Sequence, residues 1–180
     1  MVTSVVVVGV GGQGVVTLAR WLGRAAAAAG HDVRIAEVHG LSQRGGSVDV
    51  HVRFGERVRS PTVPEGGADY VIALEALEAL RAFRYLREGS SLVVNKRVIQ
   101  VPGKYVEPDL VFKSLVGKGF VVRIVPAYDI AVKLGDPLYE NAVMFGYAAA
   151  LLGLAGAVDW LDERNLRAFR EGVSLAQRSS

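Results

Sequence analysis

Four consecutive valines, Val5 to Val8, run straight into Gly9-Val10-Gly11-Gly12-Gln13-Gly14 and then into a long, largely apolar stretch from Val15 to Ala29. An unbroken β-branched run reads as a strand buried on both faces, the habit of parallel sheets. Gly9, Gly11 and Gly14 reproduce the G-x-G-x-x-G spacing in its required setting, after a strand and before a helix. Glycine allows the tight turn and lets backbone N–H groups come close to a phosphate at a helix N-terminus. The competing reading is a tight strand-to-helix turn that binds nothing.

The first unit then reads as strand 4–9, helix 14–29, a turn at Gly30-His31-Asp32 and a second strand from Val33 to Val38. That βαβ spacing predicts a parallel pair with a right-handed crossover. Glu37, near the end of the second strand, stands where nicotinamide enzymes hold the adenosine ribose. Gly9, Gly11, Gly14 and Glu37 therefore support one reading of the chain as a stand-alone NAD(P)-dependent oxidoreductase or nucleotide-binding module.

Beyond Val38 the chain departs from a plain dinucleotide fold. His39 to Ser47 is a polar, glycine-punctuated loop where a second crossover helix is expected. Val48 to Phe54 alternates apolar and polar at period two, the mark of a strand with one buried face and one wet or partner-facing face. Gly55-Glu56 reads as a tight turn and Arg57 to Ser60 as a short returning strand. An inserted hairpin of this kind predicts a mixed sheet.

Downstream, Asp69 to Leu74 reads as a strand and Glu75 to Leu86 as a helix, with Glu75, Glu78, Arg81 and Arg84 pairing on an exposed face. Strands over Ser91–Asn95 and Phe120–Val125 alternate with helices over Pro108–Gly117 and Ala127–Leu134. Asp136-Pro137 is a strong helix start, with Asp as N-cap and Pro at the first helical position. The helix from Leu138 to about Leu154 is apolar nearly all round, so it is either buried or docked on another subunit. A charged helix over Asp162–Ala176 closes the chain. The expected architecture is a single domain over 1–180. It is three-layer α/β, with a mixed, mostly parallel sheet, an inserted β-hairpin and a Rossmann-like N-terminal βαβ unit.

Several chemistries are excluded by composition. The 180 residues contain no cysteine, so the chain offers no disulfide, thiolate nucleophile, cysteine zinc site or iron–sulfur ligand. His31, His39 and His51 lack metal-ligand spacing, there is no Gly-x-Ser-x-Gly elbow, and Gly14 is not followed by the Lys of a P-loop. Acid–base work would need Glu37, His39 and His51 to converge; a plainer reading of Glu37 pairs it with Arg44. A net charge of +3 without a basic stripe argues against nucleic acid. Ala142 to Val158 is interrupted by glycines and falls short of the ~20 residues of a membrane span. With no signal-peptide pattern at the start, the expected location is the cytoplasm. The loop from His39 to Ser47 is the least bland segment, since its glycines, Gln43, Arg44 and Ser47 supply donors suited to an anion.

Three segments, taken together, carry a resemblance: Gly9 to Gly14, Ala36 to Val48 with its Glu-Val-His-Gly-Leu-Ser-Gln-Arg-Gly-Gly-Ser core, and His51-Val52-Arg53-Phe54-Gly55. The chain resembles the gamma-type subunits of 2-oxoacid:ferredoxin oxidoreductases, and within them the small (beta) subunit of the indolepyruvate type. Ser60-Pro61, Pro64-Glu65-Gly66, Ala68-Asp69, Ala73-Leu74-Glu75 and Asn141 to Gly146 fit the same pattern, so the resemblance spans nearly the whole chain. The Gln-Arg-Gly-Gly segment is far more specific than the glycine fingerprint. Pyruvate-type relatives commonly carry Arg where Val10 stands, which favours an indolepyruvate or aryl-pyruvate branch and leaves the 2-oxoacid open.

The resemblance implies oxidative decarboxylation of a 2-oxoacid to an acyl-CoA with reduction of ferredoxin. It further implies that thiamine diphosphate with its Mg2+ and the iron–sulfur clusters reside on a larger partner subunit. This chain would then bind no cofactor alone, be inactive alone, complete the complex and contact CoA as co-substrate; whether it homodimerises when isolated stays open. Gly11, Gly12, Gln13 and Gly14, with Gln43, Arg44, Gly45, Gly46 and Ser47, are the candidate CoA or phosphate contacts, for their backbone donors and the Arg44 guanidinium. No catalytic or metal-ligating residue is expected in this chain.

Overall fold

The computed structural model describes residues 1–39, 46–100, 102–116, 119–156 and 158–179, with His39 by its backbone only. Six strands form one sheet: β1 (Val2–Val10), β2 (Asp32–His39), β3 (Ser47–Gly55), β4 (Tyr70–Ala73), β5 (Ser91–Asn95) and β6 (Val121–Val125). Their spatial order is β2-β3-β1-β4-β5-β6. The run β1-β4-β5-β6 is parallel, whereas β3 pairs antiparallel with both β1 and β2.

The N-terminal βαβ unit is present, but its two strands are not neighbours. β3 returns between them, with Val6 opposite His51 on one side and Ala36 opposite His51 on the other. The hairpin expected over Val48 to Ser60 is therefore displaced one element upstream and is made by β2 and β3. Residues 57–60 form no strand. Val58 and Val63 are buried, and their N–H groups are taken by side chains, Asp32 Oδ2 at 2.8 Å and His51 Nδ1 at 2.9 Å. Pro61 and Pro64 have no N–H to give, so this segment has few donors left for a ladder.

Helices cover both faces, which makes the three layers. α1 (Val15–Ala28), α4 (Ala127–Lys133), α5 (Glu140–Leu151) and α6 (Glu163–Arg178) share one apolar core with Val5, Val7, Val50 and Val52. α2 (Ala76–Arg81), tightened into a 3-10 turn over Ala82–Tyr85, and α3 (Pro108–Ser114) share the other with Val6, Val8 and Leu92. Glu75 caps α2 by accepting the Glu78 N–H at 2.9 Å. Glu75 and Glu78 are both buried, so the charge pairing expected on an exposed face survives only as the Glu78–Arg81 contact at 2.6 Å.

α5 is the interior helix. Phe145 packs among Trp21, Trp160 and Phe169, with ring centroids 5.7, 6.0 and 4.9 Å away. The small residues that could have served a partner subunit serve α6. A Cβ on Gly146 would collide with the Phe169 carbonyl, and one on Gly172 with the Val143 carbonyl. Asp136 accepts the Leu138 N–H at 2.9 Å and starts a 3-10 turn over Pro137–Tyr139 before α5 proper. Among the described residues no helix is long and apolar enough to cross a membrane.

Candidate functional site

β1 hands the chain to α1 on one face of the sheet, and its parallel neighbour β4 hands it to α2 on the other. Such a divergence opens a crevice at the strands' carboxyl ends, where open α/β sheets bind ligands. The glycine turn sits at this crevice, and Gln13 closes it. Gln13 Oε1 accepts the Val10 N–H at 2.9 Å, and Gln13 Nε2 donates to the Leu74 carbonyl at 3.1 Å.

The glycines have distinct duties. A Cβ on Gly9 would lie 2.7 Å from Val15 and 3.2 Å from Leu74, so the crevice floor is already packed. Gly12 and Gly14 hold left-handed backbone, at φ 99° and 82°, which β-carbon-bearing residues rarely adopt. Gly11 donates its N–H to the Gly46 carbonyl at 2.9 Å. Gly14 caps α1, and its missing side chain lets the Asn141 side chain lie against the backbone.

Beyond the turn lies a cavity of about 320 Å³ whose walls include Gly12, Gln13, Gly14, Arg97, Leu138 and Asn141. Arg97 binds Glu140 through Nη1, and its guanidinium carbon lies 4.3 Å from the Tyr128 ring centroid. Asn95 joins the group: its Nδ2 donates to Glu140 Oε2 at 2.8 Å and to the Leu74 carbonyl at 3.3 Å, while its Oδ1 accepts the Tyr128 N–H at 3.2 Å. Burial pushes the Glu140 carboxyl up, opposed first by Arg97 and then by hydrogen bonds from Asn95, Arg97 and Gln13. Asn141 Oδ1 is buried with no partner among the described residues.

The local charge favours an anion. The first turn of α1 carries no acidic residue and no side-chain cap, so its partial positive charge faces the cavity wall uncompensated. Glu140 is engaged by Arg97 and Asn95, whereas Arg97 retains guanidinium donors beyond the one given to Glu140 among the described residues. A larger cavity of about 430 Å³ lies between α6 and the turn before it, lined by Leu166, Phe169 and Val173 and by the polar Asp159, Arg170, Ser174 and Gln177; none of its lining residues belongs to the glycine turn.

Of the sequence candidates, Gly11, Gly12, Gln13 and Gly14 form the turn at this site. Gly46 and Ser47 adjoin it, Gly46 through Gly11 and Ser47 opposite Val10 in the sheet, while the Ser47 hydroxyl bonds the buried Glu78. Gln43, Arg44 and Gly45 lie outside the described residues, as does the expected Glu37–Arg44 pair. Glu37 meets Arg20 on α1 at 3.2 Å. Because β3 intervenes, Glu37 lies a further strand spacing of about 5 Å from β1 than a ribose-binding acid would. Glu37 and His51 cannot converge: Ala36, not Glu37, shares a face with His51.

His51 has a structural setting. Its Nδ1 accepts from Val63, so in the neutral ring Nε2 carries the hydrogen; that atom is buried without a partner among the described residues. Tyr85 stands edge-on at 5.2 Å between ring centroids. Burial pulls the imidazole below its ordinary value, with Asp49 opposing and Arg84 adding to the effect. The polar face of β3, read as wet or partner-facing, is thus largely covered: Asp49 and His51 are buried, and Asp49 takes Arg84 and the Tyr85 hydroxyl at 2.8 and 3.0 Å.

Asn95, Arg97 and Glu140 are not among the residues the sequence singles out. The available signal was a lone carboxylate at the head of an otherwise apolar helix, matched by no motif.

The family model for pyruvate ferredoxin/flavodoxin oxidoreductase matches residues 4–175. The chain is 40% identical to the indolepyruvate oxidoreductase subunit IorB of Archaeoglobus fulgidus, over 96% of this chain and 94% of that one. In fold it is similar to the gamma subunit of a keto/oxoacid ferredoxin oxidoreductase from Geobacter sulfurreducens, with a TM-score of 0.76 and 22% identity, over 98% and 99% of the two chains. A 2-oxoglutarate:ferredoxin oxidoreductase from Magnetococcus marinus, solved with 2-oxoglutarate, coenzyme A and succinyl-CoA bound, shares the fold at a TM-score of 0.75 and 20% identity. That match covers 98% of this chain and 31% of the other.

Proposed function

This chain belongs to the pyruvate ferredoxin/flavodoxin oxidoreductase family, and we propose that it is the small subunit of an indolepyruvate-type 2-oxoacid:ferredoxin oxidoreductase. The observation that carries this reading is the 40% identity with an IorB subunit over nearly the full length of both chains. The reaction converts an aryl 2-oxoacid and CoA to acyl-CoA and carbon dioxide, with the electrons passed to ferredoxin.

Iron–sulfur clusters need thiolates, and this chain has no cysteine; the clusters therefore fit the larger subunit. Thiamine diphosphate with its Mg2+ is assigned to that subunit as well, where it supplies the carbanion chemistry of decarboxylation. The small subunit contributes a wall of the cleft. Its donor-rich turn from Gly11 to Gly14, with Gly46, Ser47 and the preceding Gln43, Arg44 and Gly45, contacts CoA, and the anion-favouring cavity beside α1 supports that role. The rival dinucleotide reading is disfavoured by β3 standing between β1 and β2, and by Gln13 filling the crevice.

Co-purification with the larger subunit tests the proposal. The tagged chain is expected to bring down a larger protein carrying iron, sulfide and thiamine diphosphate, and only the pair should reduce ferredoxin with aryl pyruvate and CoA. A chain that purifies alone and binds NADH at micromolar concentration would overturn it. Arg44→Ala in the assembled complex is expected to weaken CoA binding, as read by titration calorimetry.

A further inference from the structure

We infer that Glu140 is a positioning residue for the anionic part of the co-substrate, acting through Arg97. This rests on the reading that CoA occupies the cavity beside the glycine turn. Arg97 follows β5, and its carbonyl accepts the Ala76 N–H at 2.9 Å, which fixes the backbone. Its side chain is held at two further points, by the buried Glu140 carboxylate and by the Tyr128 ring. A guanidinium pinned this way reaches an anion with little rotamer entropy left to lose.

Glu140 is itself over-determined. Asn95 and Arg97 bind its oxygens, and Asn95 meets Gln13 at the Leu74 carbonyl. One network thus ties the glycine turn to the ends of β4 and β5 and to the heads of α4 and α5. Both side chains line the cavity, but the Arg97 side chain is 29% exposed and that of Glu140 5%, so the guanidinium is the more accessible of the two charges.

The test uses the complex assembled with its larger subunit, with CoA and pantetheine as alternative thiol substrates. Pantetheine keeps the reactive thiol and lacks the phosphates. Arg97→Ala and Glu140→Gln are each expected to raise the KM for CoA by about 10-fold, leave kcat and the KM for pantetheine unchanged, and combine without adding, because they act on one contact. Tyr128→Leu, which removes the ring beside Arg97 and leaves Glu140 in place, should show a smaller rise of the same kind and serves if Glu140→Gln fails to assemble. Unchanged CoA kinetics in Arg97→Ala would remove CoA from this cavity and with it the site reading. A rise in Arg97→Ala but none in Glu140→Gln or Tyr128→Leu would overturn the positioning role alone, as would an equal rise with pantetheine.

Discussion

Gln13 and Leu74 are joined across the carboxyl ends of β1 and β4, the Gln13 carboxamide donating to the Leu74 carbonyl at 3.1 Å while it accepts from Val10. A side chain of this protein thus occupies the switch-point crevice in which a dinucleotide fold would seat its ligand.

Gln13→Ala removes both bonds and leaves the Val10 N–H without its partner, while the Leu74 carbonyl keeps the bond from Asn95. The expected cost is about 2–3 kcal/mol, as each net hydrogen bond contributes about 1 kcal/mol and an orphaned buried group adds to it. Gln13→Glu should cost more, since a carboxylate cannot donate to Leu74 and stands beside Glu140. Urea denaturation of the purified chain measures both. Wild-type stability in Gln13→Ala would show that the crevice is held by packing alone.

The features legible in the sequence are the short-range ones. The valine run, the glycine turn and the Asp136-Pro137 start are local signals, and each lies where the pattern places it, with Asp136 capping at Leu138. The partner of a strand is not local. Nothing within Val33 to Val38 says that β3 will come between it and β1, because parallel orientation and adjacency leave the same apolar pattern. The period-two polarity of β3 likewise marks two different faces without saying which is wet. Its polar face is covered because Val58 and Val63 pull the segment after β3 over it. The Asn95–Arg97–Glu140 group joins positions far apart in sequence, so no spacing rule could have found it.

The α5–α6 crossing gives a test of burial. Gly146 and Gly172 each face a carbonyl of the other helix with no room for a methyl group. Gly146→Ala and Gly172→Ala are each expected to destabilise by about 1–3 kcal/mol through overpacking, despite the better helix propensity of alanine. Gly153→Ala is a different control: it has open space but a φ of 71°, so its penalty is conformational. A thermal melt in which Gly146→Ala is neutral would mean the helices can separate freely.

Acid stability is expected to depend on His51. Its folded-state pKa lies below the unfolded value near 6.5 because the ring is buried. Where the unfolded chain binds a proton that the native chain refuses, stability rises with pH. The His51 contribution is therefore complete above about pH 6.5 and is lost as pH falls from there toward the folded pKa. His51→Gln keeps an acceptor for the Val63 N–H and removes the titration. Its denaturation midpoint should fall less steeply than wild type between about pH 6.5 and 5. Parallel profiles would mean that His51 takes up its proton in the fold as readily as in the unfolded chain, so that burial does not depress it.

The exit of the loop before β3 is fastened at two points, Gly46 to Gly11 through the backbone and Ser47 to Glu78 through the side chain. Glu78 is buried and shared with Arg81, so it stays charge-paired when Ser47 is changed, and the loss is confined to one donor. Ser47→Ala should cost about 1–2 kcal/mol, the value of a hydrogen bond to a charged group. Its more telling effect is local: with Ser47 released, the neighbouring Gly46–Gly11 bond opens more often, and exchange of the Gly11 amide should quicken more than that of the Val6 to Val8 amides. Ser47→Thr keeps the hydroxyl and suits a strand position, so it should restore slow exchange. Fast exchange in the threonine variant as well would show that side-chain shape, not the Glu78 bond, holds the loop against the glycine turn.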